Sequence, residues 1–487
     1  MTDPHAPSAA LAYLSVGDVL ERFEQGQLTS RALVESLLER IDAIDGTETP
    51  TALRAIAGVA ADALEVASER DAERLRGEVR SPLHGIPVII KDNVEAVGLP
   101  GAAGSTALLG RATRDAPLVT RLRDAGAVVI ASANLSQWAN MRSSRSSSGY
   151  SATGGLVANP WALDRSAGGS SSGSGAAVAA GLAPLAIGTE TDGSIVCPAS
   201  VNGIVGLKPT VGTVPTTHVV PISASQDSPG PMGRRVDDVA LLYQVLSATL
   251  PAYPADVRFA VATNWRTGHP LTDQRFDDLV EALERAGHSI TRREIAQPGP
   301  EQFEDELTVL VAELRDDLGA YLQSRPGPGV SSLADVIAFE DEHADVEQVY
   351  FGHEHFVAAE ASGGRSGVAY APARARNLEW AVETCLTPGL ADVDVIIAPA
   401  YGPSWKSDLV VGGHPGPASV ATTAPAIAGW PIMSVPMGLV QDLPVGLALI
   451  GRAHSEWTLL QAARRVELVV ATHFAQPRPS WRTAQRG

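Results

Sequence analysis

Cysteine is nearly absent: Cys197 and Cys385 are the two in 487 residues. They do not make a disulfide framework, and neither sits at a metal-ligand spacing. Cys197 reads as a small buried side chain. Long apolar runs are missing too. The longest, such as 176–186, are too short and too rich in alanine and glycine to span a bilayer. The first residues, MTDPHAPSAALAYLSVGD, lack a basic stretch followed by an apolar one, so no signal peptide is read there. The expected compartment is the cytoplasm, with no membrane partner. No Lys/Arg-rich run exists, and 37 basic against 55 acidic residues leave a formal net charge of −18. That balance disfavours nucleic acid as a partner; beyond this, acidity mostly signals solubility. No Gly-x4-Gly-Lys-Ser/Thr phosphate loop is present. None of the eleven histidines has a spacing that marks a triad, and His353 and His355 around Glu354 are a weak metal signal.

Glycine (46) and proline (34) are abundant, and the glycines cluster between 149 and 193. Apolar residues at 45% and charged residues at 19% are ordinary for a globular chain able to bury a sizeable core. Residues 1–80 predict an N-terminal helical layer. Leu33, Leu37, Ile41 and Ile44 recur at helical spacing, with Thr29 or Ser30 as cap, and a further helix covers about 60–76. Residues 81–250 predict the catalytic core. There an apolar run, 85–90, ends at Lys91, with Pro87 marking a strand start or an edge. A helix over 117–124 and a strand over 127–131 follow, and this alternation indicates an α/β fold. Residues 251–392 predict a mainly helical insertion or pocket wall, punctuated by prolines at 298, 300, 326 and 328. Residues 393–487 predict a return to the core sheet through strands near 393–398, 432–435 and 445–450 and a closing helix over 456–469. Such strands need a sheet to join, so the four stretches are expected to form one unit.

Two segments carry chemistry. Residues 143–175 are too dense in serine and glycine for ordinary packing, yet run straight into a helix predicted from Ala176. A backbone packed closely around a site explains this better than a linker does. The second segment, Gly188-Thr-Glu-Thr-Asp-Gly-Ser194-Ile195, follows a strand-like run. Successive N–H groups around 191–194 could face one cavity as an oxyanion hole, with Ser194 placed to attack; an ordinary glycine turn is the plain alternative. A serine hydroxyl needs a base. Lys91, at the end of an apolar strand, serves if burial makes it neutral; otherwise it is a snorkelling side chain. Ser170 could relay a proton, since a hydroxyl both donates and accepts. Gly169-Ser-Ser171-Ser-Gly173 also fits a nucleophile elbow centred on Ser171, but 164–169 is not strand-like.

Gly168-Gly-Ser-Ser-Ser-Gly-Ser174 followed by Gly188–Ile195 closely resembles the signature of the amidase signature family. Gly203-Ile-Val-Gly-Leu-Lys-Pro-Thr210, Gly85-Ile-Pro-Val88 leading into Lys91-Asp92-Asn93, Gly230-Pro-Met232, Pro431–Pro436 and Leu443–Leu447 belong to the same pattern. The resemblance spans roughly 14–470. It implies a large mixed sheet surrounded by helices, and a Ser–cis-Ser–Lys triad. By residue matching, Ser194 is the nucleophile, Ser170 the cis serine and Lys91 the base, with an oxyanion hole at Thr191, Asp192, Gly193 and Ser194. It implies hydrolysis of carboxamide C–N bonds through a covalent acyl-enzyme, with no cofactor and no metal.

Two departures stand out. The family segment commonly reads Asp-Thr-Gly-Gly-Ser-Ile-Arg, whereas Glu190 and Val196 replace its first aspartate and final arginine here. Glu190 must find another partner or stay wet. Asp192 replaces a glycine and brings negative charge beside the site, discouraging anionic acyl groups unless it faces away. This variant resembles the branch containing bacterial peptide amidases, so a peptide C-terminal amide is the expected substrate. Small aryl or aliphatic amides and lactams are the alternatives, followed by an amidotransferase A-type subunit or a non-catalytic scaffold. A homodimer is left open. Trp138 and Tyr150 could line the pocket or pack in the core.

Overall fold

The strand Pro87–Lys91 is buried at every residue, as a run of Pro-Val-Ile-Ile-Lys must be when both sheet faces are covered. In the computed structural model, which describes residues 9–46, 52–110, 112–325, 329–412, 416, 418–473 and 479, this strand lies between Val128–Ala133 and Leu185–Glu190 and is parallel to both. Parallel neighbours need crossovers, and the helices Pro117–Asp124 and Ser172–Ala179 lie on those connections. Pro87 opens the strand, a position a proline tolerates even inside a sheet.

Among the described residues the sheet has eleven strands, in the order 56–59, 128–133, 87–91, 185–190, 228–233, 205–208, 432–440, 443–450, 395–399, 259–262, 290–293. It is mixed. Pairing is antiparallel from Leu185–Glu190 through Val395–Pro399 and parallel again at the 259–293 end. Helices surround it, matching the architecture the motifs imply. The strands Ile432–Val440 and Leu443–Ile450 form a hairpin whose turn residues, Gln441 and Asp442, both have φ > 0, as a two-residue turn between right-twisted strands requires. Val395–Pro399 and this hairpin all join the same sheet as the strands of 81–250.

The N-terminal stretch is mostly helical. Thr29 Oγ1 accepts from Ala32 N at 3.1 Å and caps Ser30–Asp45. It also supplies an edge strand, Ile56–Val59. The segment 251–392 differs more from the expected helical insertion. Phe259–Ala262 and Ile290–Arg293 flank the helix Pro270–Arg285 and extend the sheet. Four-residue runs are too short for periodicity to separate strand from helix. Helical cover begins at Pro300–Ser324 and continues through Leu333–Glu342, Glu354–Ala361 and Tyr370–Glu379. Pro326–Pro328, expected to punctuate it, lie outside the described residues.

A buried polar cluster docks this cover on the core. Arg142 Nη1 donates to Glu347 O at 2.6 Å and lies 3.5 Å from Glu340 Oε1. Trp138 Nε1 donates to Glu340 Oε1 at 2.8 Å, and His353 Nδ1 sits 2.9 Å from Glu340 Oε2. Glu347 accepts from Thr106 N at 2.7 Å and Ser105 Oγ at 3.1 Å. Trp138 packs edge-on against Phe356, and Tyr150 against Tyr350 and Phe351. Both aromatics thus belong to the packing between core and cover. Among the described residues no helix is long and apolar enough to cross a membrane.

Candidate active site

Lys91 ends its strand fully buried, beside the end of the neighbouring strand Leu185–Glu190. Its Nζ lies 2.8 Å from Ser170 Oγ, 2.8 Å from Thr189 Oγ1 and 3.1 Å from Thr189 O. Burial pushes the lysine down to about 7, against the opposing pull of Asp227 and Glu190. The carbonyl of Thr189 can only accept, so one N–H points at it. Thr189 Oγ1 also accepts from Asn93 Nδ2 at 3.0 Å. A neutral amine can donate to both Thr189 oxygens and still turn its lone pair to Ser170.

The Ser/Gly-rich stretch wraps this group, and the peptide bond between Gly169 and Ser170 is cis. The helix expected from Ala176 begins one turn earlier, at Ser172. Gly173 sits in its first turn because a side chain there would collide with the carbonyl oxygens of Ala55 and Asn134. Ser171 is fully buried. Its Oγ donates to Thr189 O at 3.0 Å and accepts from Thr189 N at 3.2 Å. Both of its hydrogen-bonding roles are thus taken by backbone, which leaves the nucleophile-elbow reading without an available hydroxyl. Ser171 N also donates to Ser194 O at 3.1 Å, joining the serine-rich turn to the second signature segment.

Ser194 is 9% exposed, against 1% for Ser170. The turn before it needs Gly193, whose φ is +77° and whose Cα faces the Tyr401 hydroxyl closely. Among the described residues, none of the backbone N–H groups of Thr191, Asp192, Gly193 and Ser194 has a hydrogen-bond partner. The next two are occupied: Ile195 N and Val196 N donate to Glu190 Oε2 at 2.6 and 2.8 Å. Glu190, 1% exposed, therefore closes the N-terminus of the helix Val196–Asn202. Lys208, fully buried, supplies a positive charge that lowers the carboxyl that burial pushes up. Lys208 is itself pushed down to about 8 by burial, while Glu190, Glu456 and Asp192 hold it up. Cys197 is buried, and its thiol is pushed up to about 12, too high for a nucleophile at neutral pH.

Several residues here were not singled out in the sequence. Thr189, Asn93 and Lys208 lie inside matched runs, where only their positions could have pointed to them. Asp227 accepts from Thr191 Oγ1 at 2.6 Å and from the backbone of Ile222 and Ser223. Glu306, on the helix Pro300–Ser324, is held by Gln226 Nε2 at 2.8 Å; nothing in its sequence context marks it. Among the described residues no cluster of three His, Cys, Asp or Glu could hold a metal ion.

The amidase family model matches residues 32–460. A probable amidase of Arabidopsis thaliana is 34% identical, over 92% of this chain and 88% of that protein. The A-type subunit of glutamyl-tRNA(Gln) amidotransferase from Symbiobacterium thermophilum is also 34% identical, over 95% and 98%. The crystal structure of the native peptide amidase from Stenotrophomonas maltophilia superposes with a TM-score of 0.88 at 39% identity, covering 96% of this chain and 99% of that one. The chain belongs to the amidase signature family, serine hydrolases that act on the C–N bonds of carboxamides.

Proposed function

We propose that this enzyme removes the C-terminal amide of peptides, with Ser194 as nucleophile, Ser170 as proton relay and Lys91 as base. The observation that carries the mechanism is the buried Lys91 Nζ, 2.8 Å from Ser170 Oγ. Ser194 Oγ attacks the amide carbonyl carbon while its proton passes to Ser170 Oγ, whose own proton moves to the lone pair of Lys91. The charge that grows on the carbonyl oxygen is met by the unengaged N–H groups of Thr191, Asp192, Gly193 and Ser194. The proton returns along the same path to the leaving nitrogen, which departs as ammonia. Water then attacks the acyl-enzyme by the same relay, releasing the carboxylate and restoring Ser194.

The substrate class is supported by the 39% identity to a peptide amidase over nearly the whole chain, and by the Asp192 variant of the signature. The test is a panel of peptide amides, free amino-acid amides, aryl amides, lactams and glutamine, assayed by released ammonia or amine, with Ser194→Ala as the paired control. Turnover centred on peptide amides is expected. Turnover confined to small amides or lactams would sink the peptide reading, and glutamine as the preferred substrate would point to the amidotransferase relative. Activity that survived Ser194→Ala would overturn the mechanism.

A further inference from the structure

The direction of the unengaged N–H groups of 191–194 is set by what anchors the turn at its two ends. At the far end Glu190 holds Ile195 N and Val196 N. At the near end the anchor is the Thr191 hydroxyl, which donates to Asp227 Oδ1 at 2.6 Å, within the range of a charge-assisted bond to a carboxylate. Strand pairing brings the two together. Ser228 lies opposite Glu190 where Ser228–Gly233 runs antiparallel to Leu185–Glu190, so Thr191 and Asp227 adjoin the same end of the ladder.

Asp227 is itself held. Its Oδ2 accepts from Ile222 N at 2.8 Å and Ser223 N at 3.0 Å, and its own N–H donates to Ser223 O at 2.8 Å. The loop that this closes, 222–227, is gripped from outside by the cover helix Pro300–Ser324. Glu313 Oε2 accepts from Ser223 Oγ at 2.5 Å and Ser225 N at 3.1 Å. Asp317 Oδ2 accepts from Ala224 N at 2.8 Å, and Glu306 Oε1 from Gln226 Nε2 at 2.8 Å. These acids recur at spacings of seven and four, so one face of the helix carries all three. Arg365 pins Asp317 with two N–H groups at 2.8 Å each, and the Tyr370 hydroxyl donates to Glu313 Oε1 at 2.7 Å.

We propose that Asp227 is a positioning residue for the oxyanion hole, and that the cover helix keeps it in place through the 222–227 loop. This rests on the amide-hydrolase reading above. The hydrogen bonds run without a break from the cover helix to the turn that carries Ser194. N–H groups stabilise a growing oxyanion only when their aim is fixed beforehand, and a small misplacement costs rate without costing substrate binding. The cover therefore shapes the chemistry as well as walling the site.

The test uses a neutral N-acylated dipeptide amide as substrate and the matching peptide aldehyde, which Ser194 captures as a hemiacetal, as inhibitor. Rates are read on the alkaline plateau, where Lys91 is neutral. Thr191→Val should lower kcat by about tenfold or more with KM within about threefold. It should weaken the aldehyde by a similar factor, because the aldehyde adduct resembles the transition state. Thr191→Ser, which keeps the hydroxyl, should stay within about threefold of wild type on both readings. Glu313→Gln should lower kcat by about threefold, and combined with Thr191→Val the loss should fall short of the product of the two. A Thr191→Val enzyme that loses Tm but keeps its plateau kcat would overturn the proposal, as would two losses that multiply in full. If Thr191→Val fails to fold, a Glu313→Gln enzyme with wild-type kcat and aldehyde affinity overturns it alone. Wild-type protein that neither releases ammonia from the amide nor binds the aldehyde would remove the amide reading as well.

Discussion

Asp227→Asn is expected to shift the acid limb of the rate–pH profile to lower pH. Lys91 is wholly buried, and burial takes it from the ordinary lysine value of 10.5 to about 7. That difference corresponds to about 5 kcal/mol against the charged form, at about 1.4 kcal/mol per pH unit. Only the neutral amine can take a proton from Ser170. Below pH 7, kcat/KM should therefore fall about tenfold per unit, leaving about a tenth at pH 6 and a hundredth at pH 5. Asp227 opposes the burial effect, because its negative charge favours the ammonium. Burial pushes Asp227 itself up to about 6, so it is charged through the upper part of that limb. Removing its charge lowers Lys91 further, the base stays neutral to lower pH, and the limb moves down by on the order of half a unit or more. Asparagine keeps the size of the side chain but only one acceptor oxygen, so either the Thr191 hydroxyl or the Ile222 and Ser223 amides lose theirs. The assay is kcat/KM on an uncharged amide from pH 5 to 9 at fixed ionic strength, with both proteins checked for folding at each pH. A limb that moved upward in the variant, or a wild-type profile flat down to the unfolding limit, would refute Lys91 as the base.

Ser194→Ala should lower kcat by at least about a thousandfold with little change in Tm, since the hydroxyl is needed only for chemistry. Ser171→Ala should behave differently: it loses two bonds to the Thr189 backbone, costs about 1–3 kcal/mol of stability and keeps far more activity, as urea titration and kinetics can compare. Lys208→Met should destabilise the fold because the buried Glu190 loses the positive charge that favours its ionised form; adding Glu190→Gln should recover part of that loss, and a double-mutant cycle with no coupling would contradict that interaction. Glu347→Gln strips the charge that gathers Thr106, Ser105 and Gln137 under the helical cover, and a Tm drop matching about 2–3 kcal/mol is expected.

The legible part of the fold was the part whose residues face one environment along their length. Ser30–Asp45 declares itself by an apolar stripe and a threonine cap, and Pro87–Lys91 by an unbroken apolar run. Ile56–Val59, Phe259–Ala262 and Ile290–Arg293 do not. All three are short; the first and last are half-buried at the sheet edges, while Phe259–Ala262, though apolar and buried throughout, is a four-residue run that a buried helix could equally supply. What makes them strands is the neighbour that offers its hydrogen bonds, a fact about tertiary structure. The Ser/Gly-rich stretch shows the converse. Its composition announced a tight site, but the close carbonyls that demand Gly173 come from Ala55 and Asn134, far away in sequence.

The site divides along the same line. Lys91, Ser170 and the 191–194 turn sit inside contiguous motifs, so the sequence alone could propose them as site residues. The groups that set the lysine's basicity could not be proposed in that way, because electrostatics depends on distances across the fold. Asp227 lies far along the chain from Lys91 yet tunes it, and Lys208 supplies the positive charge that acts on Glu190. Val196 alone suggested a stranded carboxylate. The structure turns that carboxylate into a helix cap on Ile195 and Val196. By taking these two N–H groups, Glu190 fixes where the helix begins, and so where the unengaged amides of 191–194 end. Substituting Glu190 should therefore disturb the geometry of the proposed oxyanion hole as well as the charge beneath it. A change in kcat larger than the change in stability would be its signature.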